Sequence, residues 1–193
     1  MNTVIIQYNA GNITSVTFAL ERLGASYILS DEPEVITHAD RVIFPGVGEA
    51  SSAMRYLQQR NLDQIIRTLK QPVLGICLGM QLLCTHSEEG NTDCLGIIPA
   101  EVKKFNTGLK VPQIGWNTIT EYTDSLFDRI PESTYVYYVH GYYVPHNAYT
   151  IAKTAYGISY SAAIRKDNFW GVQFHPEKSA HAGEQLLKNF LSM

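Results

Sequence analysis

Residues 72–83 read Pro-Val-Leu-Gly-Ile-Cys-Leu-Gly-Met-Gln-Leu-Leu. The apolar run Val73 to Ile76 predicts a strand, and the apolar spacing after Cys77 predicts a helix, with a sharp turn between them. Gly75 and Gly79 sit two residues either side of Cys77. A strand-to-helix elbow needs small residues there, because the bent backbone at its apex leaves no space for neighbouring side chains. The elbow is expected to expose Cys77 at the first turn of the helix, where unpaired N–H groups and the macrodipole favour negative charge. The competing reading is a buried cysteine in a Gly-containing core strand.

Working outward, residues 3–8 are an apolar β-rich run, followed by a Gly-containing turn at 9–12 and an amphipathic helix at 16–23 with Gly24 as its cap. Residues 26–29 predict a second strand, 32–39 a brief helix and 41–44 a third strand. That strand ends in Pro45-Gly46-Val47-Gly48, and helices are expected at 49–60 and 62–69 with Ala53, Met54, Leu57, Ile65, Ile66 and Leu69 buried. Repeated strand-then-helix units with continuous apolar strands predict an α/β fold, with a mostly parallel central sheet covered by helices on both faces. Such sheets bind ligands at the carboxyl ends of their strands, where Cys77, the 46–48 turn and the 9–12 turn fall.

From about residue 97 the texture changes to shorter strands rich in Tyr, Val and Thr, at 97–105, 117–121, 134–142, 150–154, 161–165 and 169–174. Most are expected to be antiparallel, forming a smaller sheet in the C-terminal half. An amphipathic helix at 180–191 closes the chain.

The 193 residues, 45% hydrophobic with net charge −3, suit a single domain over 1–193. The mild acidity leaves no electrostatic footprint for nucleic acid, and Lys103, Lys104 and Lys110 read as a solvated face. The N-terminus has no basic start or cleavage pattern, and no apolar run approaches the roughly 18 residues of a membrane helix, so a soluble cytoplasmic protein is expected. Cys77, Cys84 and Cys94 are an odd count in an ordinary-sized domain and predict reduced thiols. Cys84, His86 and Cys94 lack a second chelating dyad, so neither a metal nor a cofactor is expected.

A cysteine nucleophile needs a base and a group to orient it. Of six histidines, His38 and His146 sit in polar helix or turn contexts, His86 ends the nucleophile helix and points away from its start, and His181 belongs to the solvent face of the last helix. His175 differs. It ends a strand in which Trp170, Val172 and Phe174 share one face, Pro176 stops the ladder, and Glu177 is close enough to hold the imidazole. The alternative is a strand-end His-Pro turn with an exposed Glu. Oxyanion donors are available from the backbone at Gly46 and Val47 and from the N–H of Leu78, unless 46–48 is a plain glycine turn.

Gly75-Ile-Cys77-Leu-Gly79-Met-Gln81, together with Gln173-Phe-His175-Pro-Glu177-Lys-Ser, resembles the class I, triad-type glutamine amidotransferases over essentially the whole chain. The resemblance implies a flavodoxin-like fold and release of ammonia from glutamine, with Cys77 as nucleophile, His175 as base and then acid, and Glu177 as orienting carboxylate. Gly48, Gln81, His140, Gly141 and Tyr142 would hold the α-amino and α-carboxylate groups. Four further stretches, 8–12, 45–48, 111–117 and 139–143, resemble one branch of the family, the glutaminase subunits of imidazole glycerol phosphate synthase. That branch implies a heterodimer with a (β/α)₈-barrel cyclase subunit. The cyclase makes imidazole glycerol phosphate and aminoimidazole carboxamide ribotide in histidine biosynthesis. Asn12, Trp116, Tyr137 and Lys178 would face it, and the 45–48 turn would have to reorient before the Val47 N–H points inward. Two positions depart from the usual pattern: Gln7 precedes Tyr8 where Asp is common, and Gly141 follows His140 where Ser or Thr is common. A paralogue feeding ammonia to another synthase, for example in amino-sugar biosynthesis, is the alternative; a protease-like cysteine protein and a non-catalytic module fit the three polar residues less well.

Overall fold

The structure, a computed structural model, describes residues 2–9 and 13–193. The first half alternates strand and helix: β1 (Thr3–Ile6), α1 (Ile13–Arg22), β2 (Tyr27–Ser30), α2 (Pro33–Thr37), β3 (Arg41–Phe44), α3 (Ala50–Gln59), α4 (Leu62–Thr68), β4 (Val73–Ile76) and α5 (Leu78–Leu83). The second half holds β5 (His86–Ser87), β6 (Thr92–Asp93), β7 (Glu101–Lys104), β8 (Gln113–Thr118), β9 (Tyr135–His140), β10 (Tyr142–Tyr143), β11 (Thr150–Tyr156), β12 (Ile158–Lys166), β13 (Phe169–Val172) and α6 (Ala180–Phe190).

The central sheet has the order β11-β12-β13-β4-β3-β1-β2. β13, β4, β3, β1 and β2 pair in parallel, while β11 and β12 form an antiparallel edge. The alternation of each strand divides its residues between two cores. Val4, Ile6, Val42 and Phe44 pack on one face with Leu57, Ile66 and the α5 residues Met80 and Leu82. Ile5, Ile43, Leu74 and Ile76 pack on the other with Leu20 of α1 and Leu186, Leu187 and Phe190 of α6. The fold is therefore α/β with helices on both faces.

Several C-terminal expectations shift. The 150–154 and 161–165 strands lengthen into a hairpin that extends the main sheet, since β12 has β13 to pair with. The strand predicted at 97–105 contracts to Glu101–Lys104, and that predicted at 117–121 shifts back to Gln113–Thr118, leaving residues 119–121 outside it. Two smaller sheets remain, β10-β7-β5-β6 and the antiparallel pair β8-β9. Ile65 is half-buried rather than buried. Among the described residues no helix is long and apolar enough to cross a membrane.

Candidate active site

Parallel pairing brings the carboxyl ends of β3, β4 and β13 side by side, with β4 in the middle. The 45–48 turn follows β3, Cys77 follows β4 and His175 follows β13, so three segments far apart in sequence meet at one edge.

Cys77 occupies the elbow with φ 53° and ψ −107°, a conformation L-residues rarely adopt. Its N–H donates to the Val172 carbonyl at 2.8 Å, and its carbonyl accepts from Gln81 N–H at 3.2 Å, which binds the bend to β13 and starts α5. A Cβ on Gly79 would lie 1.8 Å from the Phe44 carbonyl oxygen, so a glycine there is what lets α5 start against the end of β3. The expected exposure of Cys77 is corrected: the residue is only 6% exposed. Its sulfur is covered by distant parts of the chain. Sγ lies 3.7 Å from the Val139 carbonyl oxygen and accepts from the Gln173 amide at 3.6 Å.

His175 is 1% exposed, and its N–H donates to the Tyr137 carbonyl at 2.9 Å. Its Nδ1 lies 2.8 Å from Glu177 Oε1; a carboxylate only accepts, so Nδ1 carries the proton. Nε2 has no partner at ordinary hydrogen-bond geometry and interacts with Cys77 instead. Burial opposes protonation of the ring. The charge of Cys77 and a hydrogen bond to it, then the Glu177 bond and charge, outweigh burial and raise His175 to about 10.

A pocket of about 250 Å³ opens beside the sulfur, lined by Val47, Gly48, Cys77, Leu78, Gln81, Glu89, Pro112, Val139, His140, Gly141 and Tyr142. It is smaller than the roughly 300–1,000 Å³ that drug-sized ligands occupy and suits a small metabolite. Gln81 Nε2 donates to the Tyr142 carbonyl at 3.1 Å and to Gln173 Oε1 at 2.9 Å. His140 Nδ1 donates to the same Tyr142 carbonyl at 2.7 Å, and Nε2, then an acceptor, meets the Tyr160 hydroxyl at 3.1 Å. Burial chiefly, with the His175 charge adding and the Tyr142 bond opposing, lowers His140 to about 4, so the ring is neutral. These bonds hold the main chain at 140–142 against the pocket. Gly46 lies outside this pocket, in a narrow cleft with His175 and Glu177. Leu78 N–H is already engaged by the Gly46 carbonyl.

Two residues escape the sequence reading. Gln173 touches the sulfur, and a polar residue inside the buried 169–174 run was a usable signal. Glu89 puts a carboxylate at the pocket, and no periodicity marks it, because β5 and β6 are two residues each. Glu89 Oε2 accepts from Ala50 N–H at 2.9 Å. Burial raises its pKa, with the Ala50 bond opposing and the Glu49 charge adding.

Of the residues expected at a partner face, Trp116 is 53% exposed, and its ring meets that of half-buried Tyr137 at 5.8 Å and 74°. Lys178 is exposed on the turn after Glu177. Asn12 lies outside the described residues. Cys84 and Cys94 are buried, with burial pushing both thiols up, Cys94 to about 12.

The description "Glutamine amidotransferase class-I" belongs to a family model that matches residues 4–193. The imidazole glycerol phosphate synthase subunit HisH of Bacteroides fragilis (strain YCH46) is 52% identical, covering all of both chains. The protein of that name from Yersinia pseudotuberculosis serotype I is also 52% identical over the whole of each chain. Among solved structures, PurLQS from Thermotoga maritima superposes with a TM-score of 0.71 at 17% identity, covering 99% of this chain and 97% of its own. A glutamine amidotransferase from the same organism gives 0.67 at 17% identity, covering 100% and 83%. At such identities the structural matches speak for the fold alone; the family match spans nearly every residue, elbow and His-Pro-Glu turn included, and the chain belongs to the class-I glutamine amidotransferases.

Proposed function

We propose that this chain is the glutamine-hydrolysing subunit of imidazole glycerol phosphate synthase and hands the ammonia it releases to a cyclase subunit. The Cys77 thiolate attacks the side-chain amide carbon of glutamine. His175, protonated on Nε2 and steadied through Nδ1 by Glu177, gives a proton to the departing nitrogen. Water, deprotonated by the same ring, then cleaves the thioester to release glutamate. Val47 and Leu78 N–H groups would hold the oxyanion. The carboxylate of Glu89 and the amide oxygen of Gln81, whose two amide hydrogens are already taken by Tyr142 and Gln173, suit the α-ammonium of glutamine, and the pocket backbone at Gly48 and 140–142 suits the α-carboxylate end.

The observation that carries this reading is the meeting of Cys77, His175 and Glu177 at the ends of adjacent strands, beside a small pocket with a carboxylate at its wall. Full-length identity to proteins named HisH supports the synthase. Exposed Ile114 and Tyr135, 61% each, beside Trp116 support a docking face for the cyclase, since large apolar side chains clustered on a surface mark an interface. The test is ammonia release from glutamine with and without the imidazole glycerol phosphate synthase cyclase subunit. Strong stimulation by that subunit, lost in Cys77→Ala, is the expected result.

A further inference from the structure

Ser179 precedes α6, where a serine ordinarily caps the helix by accepting from a backbone N–H in its first turn. Here the side chain caps nothing in α6. It is 1% exposed, and its Oγ donates to the His175 carbonyl at 2.6 Å while accepting from Tyr137 N–H at 2.9 Å. The ring of bonds closes through His175 N–H, which donates to the Tyr137 carbonyl at 2.9 Å. Both main-chain polar groups of His175 are thereby tied to one residue of β9. The next residue, Ala180, has φ +47°, so the backbone enters α6 through a conformation costly for alanine. A forfeited cap and a strained neighbour are costs that a purely structural serine at this position need not carry.

β9 reaches the rest of the site as well. Its Val139 carbonyl lies 3.7 Å from Cys77 Sγ, and its His140 lines the pocket. On its outer side, the Tyr137 ring packs against exposed Trp116.

We propose that Ser179 is a positioning residue for the base: it locks the His175 main chain to β9, so that the strand behind the Trp116 and Tyr137 face sets how the imidazole meets the Cys77 sulfur. The proposal rests on the reading of Cys77 and His175 as nucleophile and base. Removing the hydroxyl frees one side of the ring of bonds and lets His175 drift relative to Cys77 without touching the glutamine pocket. Displacements well under an ångström matter here, because misplacement by about 1 Å costs a rate on the order of a hundredfold.

The experiment compares wild type, Ser179→Ala, Ser179→Thr and Cys77→Ala, each mixed with the cyclase subunit. It measures kcat and KM for glutamine, the pH dependence of Cys77 alkylation by iodoacetamide, and thermal melting. Ser179→Ala is expected to lose about tenfold or more in kcat with KM within about twofold, and to shift the alkylation midpoint. Ser179→Thr, which keeps the hydroxyl, restores both. A Ser179→Ala variant with wild-type kcat and alkylation profile overturns the proposal, as does a kcat loss with an unmoved alkylation profile, which marks a role in stability alone. Full glutaminase activity in Cys77→Ala instead overturns the underlying reading, and the proposal with it.

Discussion

The amide N–H of Leu78 donates to the carbonyl oxygen of Gly46 at 3.3 Å. In a planar trans peptide the C=O and the following N–H point in opposite directions. With the Gly46 carbonyl toward the elbow, the Val47 N–H points away from it. Both proposed oxyanion donors are thus out of use in this arrangement, one engaged and one averted. Rotation of the single Gly46–Val47 peptide would release the first and turn in the second.

The isolated chain is therefore expected to hydrolyse glutamine slowly. One missing oxyanion donor costs about 10²- to 10³-fold in kcat, so partner binding that rotates the peptide is expected to accelerate the reaction by about a hundredfold or more. Steady-state ammonia release with and without the cyclase subunit measures it. Fast turnover by the chain alone is incompatible with the mechanism.

Glu89→Gln tests recognition of the substrate ammonium. The amide oxygen keeps the Ala50 N–H bond but the charge is gone. KM for glutamine is expected to rise about 10- to 100-fold with kcat little changed. Isothermal titration with glutamine on a Cys77→Ala background reads the same loss without turnover.

The two site histidines act on stability in separate pH windows. His140 is lowered to about 4 from an unfolded value near 6.5. Above pH 6.5 neither state carries that proton. As pH falls from 6.5 to 4 the unfolded chain binds a proton the native state refuses, so stability drops by up to about 1.4 kcal/mol per unit. His175 is raised to about 10, so its contribution is complete below pH 6.5 and is lost as pH rises to 10. Urea midpoints across pH 4–10 should be less acid-sensitive in His140→Gln and less alkali-sensitive in Cys77→Ala, which lacks the main charge that raises His175.

Gly183→Ala should damage the His-Pro-Glu turn from behind. A Cβ at residue 183 would lie 1.8 Å from the Pro176 carbonyl oxygen, main chain that a rotamer change cannot move. Overpacking of this kind costs about 1–3 kcal/mol, so a melting decrease of several degrees and a fall in kcat are expected together. Unchanged melting and kcat would refute the close approach.

Trp116→Ala should weaken docking of the cyclase and leave the slow basal glutaminase rate unchanged. Central aromatic anchors cost about 2–4 kcal/mol on truncation, which corresponds to roughly 30- to 1,000-fold in Kd. Surface plasmon resonance against the cyclase subunit measures the change, and an unaltered Kd removes Trp116 from the interface.

Legibility along the chain followed the range of the forces involved. Arg41–Phe44 and the Val73–Leu83 elbow were readable because apolar runs and flanking glycines act on neighbours a few residues away. Gln113–Trp116 was missed as the start of β8, because its strand character comes from pairing with Tyr137–His140. Glu89 was missed because its hairpin strands are too short to show a period.

The sequence by itself determined the alternating α/β framework, the bend at residue 77 and the identities of sulfur, imidazole and carboxylate, since backbone propensity and side-chain chemistry are local properties. Tertiary structure alone decided that Val139 and Gln173, 62 and 96 residues from Cys77, enclose its sulfur. It also decided that Glu89 reaches the pocket and that the Gly46 carbonyl faces Leu78. Each of these depends on contacts between segments that meet only once parallel strands have aligned their ends, and no pattern along a single segment encodes them.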